Sequence, residues 1–402
     1  MAADSALLLV FLFMAAAAAG WYVARRTAPD SRRNGTEREL NADYFAGLNF
    51  LLNEEPDKAL EVFVRMVDVD SDTIETHFAL GNLFRRRGEV NRALQIHQNI
   101  FERKELPRRH REQALRALAE DYLKAGLLDR AEAYLQQLAD RPAYRREALE
   151  RLVLVYEQER EWEQAIAIRD RLADETHTGR SPVVAHYFCE LAQKALAADK
   201  PEQAQEYLRR ARAADRDNLR GAILRAEIAA GEGDFKLASR LYRRVMEQDP
   251  GFAPLTLPAL RRCHEAMDDR AGLGKLLSAM VSKQPGLKAG LAYAAIVDEG
   301  FDDPITRECI TDFIRRNPML TDLMSTLRPD AGSDTDGEQG LRRITRALRM
   351  LSASNPSYRC ENCGFSGTVL QWQCPTCKNW DSTRPTASFR FEASLGVPRL
   401  AR

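Results

Sequence analysis

The sequence predicts a mainly α-helical protein of stacked helical pairs, an α-solenoid, with an N-terminal membrane-crossing helix and a small C-terminal four-cysteine metal knuckle. Three observations predict it. Residues 6–24 form a nineteen-residue run without a charge, small and aromatic residues recur at an offset of 34 through the middle, and two CxxC pairs close the chain. At 402 residues the chain is long enough to divide into modules. Its 59 Lys and Arg balance 59 Asp and Glu, so no net charge points to nucleic acid or to an extended acidic chain.

The run ALLLVFLFMAAAAAGWYVA spans 6–24. A helix rising about 1.5 Å per residue crosses the hydrocarbon core in roughly 17–25 residues, so this length fits one span. Trp21 and Tyr22 close it, where aromatic rings favour the membrane boundary, and Arg25, Arg26, Arg32 and Arg33 follow. That bias places a short tail, 1–5, outside and everything after Arg25 in the cytoplasm. A cleaved signal peptide is the rival reading, but MAADS carries no Lys or Arg. The polar stretch 25–40 reads as a linker leaving the membrane.

From residue 41 the chain repeats. Gly47 matches Gly81, Phe50 matches Phe84 and Ala59 matches Ala93, each 34 apart. Tyr122 and Tyr156, Ala131 and Ala165, and Ala204 and Ala238 keep that offset, while Ala93 to Ala131 is 38 and Ala165 to Ala204 is 39. Small residues let two helices of a pair approach, and the aromatics fill the space between them. A 34-residue helical hairpin of this kind matches the tetratricopeptide repeat, whose units bury their apolar faces only by stacking. About six clear units are expected over 41–250. Degenerate helical repeats are expected over 251–352, with a polar loop at 328–340.

No catalytic constellation stands out. There is no phosphate-binding glycine loop, dinucleotide fingerprint or GxSxG elbow. His77, His97, His110, His177, His186 and His264 lack ligand spacing and read as solvent-facing or core-edge side chains. Arginine clusters such as FRRRGE and LPRRHRE read as solvated helix faces, able also to meet acidic partner segments or anionic lipid. Cys189, Cys263 and Cys309 read as buried structural thiols.

The other four cysteines form the module expected over 353–402. Cys360 and Cys363 make one CxxC, Cys374 and Cys377 the other, with ten residues between. Two facing turns of this type give a tetrahedral set of four sulfurs, suited to one zinc or one iron ion. GTVLQWQ reads as a strand of a short hairpin. Tyr358, Phe365, Trp372 and Trp380 read as a small apolar lid. A segment this short cannot hold a core alone, so bound metal is expected to supply its folding energy. A redox dithiol or two disulfides are the rivals, and both sit poorly with paired turns in a reducing compartment.

The combination resembles the bacterial lipopolysaccharide assembly protein B family over almost the full length. The resemblance is carried by GWY (Gly20 to Tyr22) before Arg25 and Arg26, and by GLNFLL from Gly47. It continues in LGNLFRRRGEVNRALQIHQ from Leu80, AHYFCELA from Ala185, and the terminal YRCENCGF and LQWQCPTCKNW. It implies a rubredoxin-type metal site with Cys360, Cys363, Cys374 and Cys377 as ligands, packed against the repeats. It also implies a non-enzymatic adaptor in the inner membrane, facing the cytoplasm. Such an adaptor works with a membrane AAA+ protease to degrade the lipid A deacetylase, under restraint by a lipopolysaccharide-sensing membrane protein. Self-association is left open. The alternatives are a general scaffold for lipopolysaccharide synthesis or transport proteins, and a redox protein using an iron knuckle. A nucleic-acid-binding zinc ribbon is the weakest, because the tail is only modestly basic.

Overall fold

A computed structural model describes residues 74–297 except 178 and 180, then 304–316 and 357–386. It also describes 18–22 and scattered positions within 45–62 and 345–348. The predicted anchor 6–24 lies outside these apart from 18–22, as do the linker, most of the first expected repeat and the loop 328–340. Among the described residues no helix is long and apolar enough to cross a membrane.

The described helices fall in pairs. They are α1 (Ile74–Arg86) with α2 (Val90–Glu102), α3 (Arg108–Ala125) with α4 (Leu128–Ala139), and α5 (Arg145–Glu159) with α6 (Trp162–Thr176). Next come α7 (Val183–Ala197) with α8 (Pro201–Ala214), and α9 (Leu219–Gly231) with α10 (Phe235–Gln248). After a 3-10 turn at Pro250–Phe252 follow α11 (Ala253–Ala266) with α12 (Arg270–Lys283), and α13 (Leu287–Val297) with α14 (Pro304–Arg316). The chain divides into two compact units, Met1–Val155 and Tyr156–Arg402.

One turn joins the helices of the first six pairs. Gly88, Gly126, Arg160, Asp199, Gly233 and Asp268 all take positive φ, between 52° and 84°. The following residue donates its N–H to the carbonyl five positions back. Glu89 reaches Phe84, Leu127 Tyr122, Glu161 Tyr156, Lys200 Ala195, Asp234 Ala229 and Asp269 His264, all at 2.8–3.0 Å. This is the Schellman closure, which satisfies carbonyls at a helix C-terminus. Five residues after each left-handed position stands the small residue read from the sequence. Ala93, Ala131, Ala165, Ala204 and Ala238 are fully buried. In the sixth turn that position is Leu273, also buried. The turn persists beyond residue 250, and only its alanine signature is lost.

Within the first unit a polar cluster lies beside the apolar packing of Phe78, Ile100, Ala114 and Ala117 between α1, α2 and α3. His97 Nδ1 lies 2.5 Å from Asp121 Oδ2, and both side chains are fully buried. Arg85 donates to Asp121 (3.0 Å) and pairs with Glu120 (2.7 Å). Two expectations are corrected here. Arg85, from the FRRRGE segment, is no solvated-face residue, and His97, like His186 and His264, is buried. A period-based reading assigns polar residues outward, but these are matched by buried partners. His264 Nε2, in the second unit, lies 3.1 Å from Ser239 Oγ.

Candidate metal centre

The C-terminal knuckle belongs to the second unit. It is a three-stranded antiparallel sheet of order β2–β1–β3, with β1 Tyr358–Cys360, β2 Ser366–Gly367 and β3 Thr383–Pro385. Tyr358 pairs with Gly367 on one side and Pro385 on the other. The predicted strand GTVLQWQ does not form. Only Gly367 joins β2, and Gln373 makes an isolated bridge to Trp380. The stretch between is held by side-chain docking rather than by a ladder.

The two cysteine turns share one geometry. Gly364 N–H donates to the Cys360 carbonyl (3.0 Å), as Lys378 N–H does to Cys374 (2.9 Å). Cys360 N–H donates to the Phe365 carbonyl (2.7 Å), as Cys374 N–H does to Asn379 (2.9 Å). Gly364 and Lys378 both have positive φ, 76° and 59°. Each turn therefore aims two sulfurs at one point.

All four Sγ atoms lie within 4.8 Å of one another, with Cys360–Cys377 at 3.7 Å and Cys363–Cys374 at 3.6 Å. A tetrahedral thiolate site with metal–sulfur bonds of about 2.3 Å has sulfur–sulfur edges of about 3.8 Å, so the donor set fits one such ion. The Ser382 hydroxyl, 3.4 Å from Cys360 Sγ, and the Cys363 N–H bring the Cys360 thiol down to about 6. Asn362 and the Asn379 N–H lower Cys377 as well. Cys360 and Cys374 are buried, while Cys363 is exposed. Cys189, Cys263 and Cys309 are buried apart from this cluster, and burial pushes Cys189 up to about 12.

The expected aromatic lid is corrected: Trp372 and Trp380 turn onto the helices instead. Trp372 stacks on Phe252 at 5.7 Å and 11°, and with Leu370 it packs on Leu219, Ile223 and Val245. Trp380 meets Trp162, Tyr187 and His186 at 5.3–5.9 Å. The polar centre of this face is Glu157 on α5, whose side chain is 6% exposed. It accepts from Trp380 Nε1 (3.3 Å), Gln373 Nε2 (3.2 Å), the Tyr187 hydroxyl and Arg169 (3.5 Å). Burial, then the Glu157 charge, raise the Tyr187 pKa, so the hydroxyl remains a donor. Asn218 caps α9 through its oxygen (2.7 Å from Gly221 N) and meets His186 Nε2 through its nitrogen (3.2 Å). Arg384 completes the seat, 3.6 Å from Asp249 and over the Phe252 ring. Motif reading found the four cysteines but not Glu157, Arg169 or Phe252. The segment AHYFCELA did contain His186 and Tyr187, without indicating what they face.

Family models match two parts of the chain: a rubredoxin metal binding domain at 358–385 and a tetratricopeptide repeat at 76–108. Lipopolysaccharide assembly protein B of Escherichia coli K12 is 34% identical over 380 residues, 94% of this chain and 97% of that protein. The protein of the same name from Haemophilus influenzae Rd is 29% identical over 400 residues, 95% and 98% of the two chains. Among solved structures, MamA 41-end from Desulfovibrio magneticus RS-1 covers 44% of this chain and 96% of its own, at 16% identity and a TM-score of 0.32.

Proposed function

This chain belongs to the lipopolysaccharide assembly protein B family, and from that premise we propose that it is a non-enzymatic, inner-membrane adaptor regulating lipopolysaccharide synthesis. It promotes degradation of the lipid A deacetylase by the membrane AAA+ protease, and a lipopolysaccharide-sensing membrane protein restrains it. The run 6–24 tethers it as a single-pass protein with its repeats in the cytoplasm. The observation that carries this reading is similarity over 94% of the chain, which takes in repeats and knuckle together rather than one module.

The knuckle's architecture supports a structural role. Cys360, Cys363, Cys374 and Cys377 would hold one iron or zinc ion, which supplies folding energy to a segment without a core of its own. The aromatic and amide groups beside the cysteines are engaged with Glu157, Tyr187 and Phe252. They build a surface with the helical pairs, as an adaptor requires.

The test is the half-life of the lipid A deacetylase in cells depleted of this protein, beside undepleted cells. The adaptor reading expects a lengthened half-life. An unchanged half-life replaces it with a general scaffold.

A further inference from the structure

A recess opens where the end of α8, the start of α9 and the second half of α10 meet. Arg212 from α8, Arg225 from α9 and Arg244 from α10 line it, with Arg216 from the α8–α9 connection. Leu208, Ala222 and Leu241 form its apolar part. Asp215 is the acid in the lining, and its carboxylate accepts the Asp217 N–H at 3.0 Å.

These arginines differ from their neighbours. Arg209 and Arg210 pair with Glu206, Arg220 with Glu190, and Arg243 with Glu247. Among the described residues Arg212, Arg216 and Arg225 have no carboxylate within salt-bridge distance, and Arg244 reaches Asp217 only at 3.9 Å. Arg225 is pushed below its ordinary pKa by burial and then by the Arg212 and Arg244 charges. Like charges drawn together from three helices repel, and an anion joining them would relieve that repulsion.

We propose that this hollow binds an acidic peptide segment of a partner protein, with Arg212, Arg225 and Arg244 taking a carboxylate and Leu208 and Leu241 its aliphatic stem. Guanidinium groups match carboxylates with two parallel bonds, and convergent forks select for them. The apolar walls favour a side chain over free phosphate, and a recess between helices suits a chain better than a flat membrane surface does. The inference deepens the adaptor reading by naming the chemistry of one partner contact, and it rests on that reading for the partner's role.

The test uses the full chain in non-ionic detergent and fluorescence anisotropy of a labelled Glu-rich peptide. Its Gln counterpart, inorganic phosphate and anionic phospholipid vesicles are the comparisons. The Glu peptide is expected to bind with salt-sensitive affinity and the Gln peptide not to bind. The double variant Arg212→Gln/Arg225→Gln is expected to lose roughly tenfold or more in affinity, as for a lost charge-assisted contact. Arg209→Gln/Arg210→Gln, on the same helix but paired to Glu206, is expected to bind as the parent does. Without peptide the Arg212→Gln/Arg225→Gln variant should melt no lower than the parent, because repulsion is removed, and peptide should raise the parent's melting temperature alone. Equal peptide binding by parent and variant overturns the proposal. So does capture of phosphate or vesicles through these arginines with no peptide bound. A failure here beside a lengthened deacetylase half-life removes this contact and leaves the adaptor, whereas an unchanged half-life removes the adaptor whatever the peptide does.

Discussion

The helical turns and the cysteine turns are both closed by left-handed residues, yet they stabilise different things. At Gly88 and its five counterparts the turn returns the chain onto its own helix, and a buried Ala or Leu seals the pair. At Gly364 and Lys378 the same device gathers sulfurs, and the apolar side chains nearby face another part of the unit. A helical pair carries its own packing, and burial at about 25 cal/mol per Å² accumulates from pair to pair. The knuckle has no such reserve. Its four sulfurs are placed to hold one metal ion, and its aromatic side chains pack on the seat centred at Glu157.

The largest break in that contrast is Cys360→Ser with Cys363→Ser. It is expected to abolish metal binding, a contribution of about 10–16 kcal/mol in small zinc-folded segments, while the helical circular dichroism stays. Metal content and Trp372/Trp380 fluorescence report it, and loss of helix would show that the repeats depend on the knuckle too.

Glu157→Ala comes next. It strands Trp380, Gln373, Tyr187 and Arg169 without their shared acceptor, at about 3–5 kcal/mol for a broken buried pair. The expected signature is faster metal release to a chelator with the cysteines intact. An unchanged release rate would make the seat irrelevant to the metal.

Gly81→Ala tests the helical side. An added Cβ would lie 2.5 Å from His97 Nε2, and the His97–Asp121 contact leaves that ring no retreat. A loss of about 3 kcal/mol is expected, at the upper end for overpacking, read as an earlier denaturant midpoint without loss of metal.

The seat should also respond to acid. Burial brings His186 down to about 4, with Asp381 opposing and Arg220 and Arg384 reinforcing the shift. The folded ring is then neutral where the unfolded one, near 6.5, takes a proton. Between pH 6.5 and about 4 the unfolded chain holds more protons, so stability falls as pH falls, by roughly 3 kcal/mol in all. His186→Gln should flatten that part of the profile; an unaltered slope would assign it to other groups.

The smallest effect is Arg160→Gly, expected to stabilise by about 0.5 kcal/mol because φ is 59° there. A lower melting temperature would mean the arginine side chain contributes more than its backbone strain costs.

Much of this was legible in the sequence because it is local. Ala93, Ala131, Ala165, Ala204 and Ala238 recur since each sits at one fixed place after one turn, and that place tolerates little volume. The pattern faded after residue 250 because Leu273 fills the same place without its signature, not because the turn was lost. The cysteines were legible because two CxxC turns suffice to converge four sulfurs. Glu157 was not, since 216 residues separate it from Gln373 and no period or spacing connects them. A carboxylate in a helix reads as surface until its partners are known. Local turns and a ligand set are written in short stretches, where backbone geometry acts over a few residues. Which polar groups are buried, and which arginines are left without an acid, depends on distant segments meeting, and only the tertiary structure brought those together.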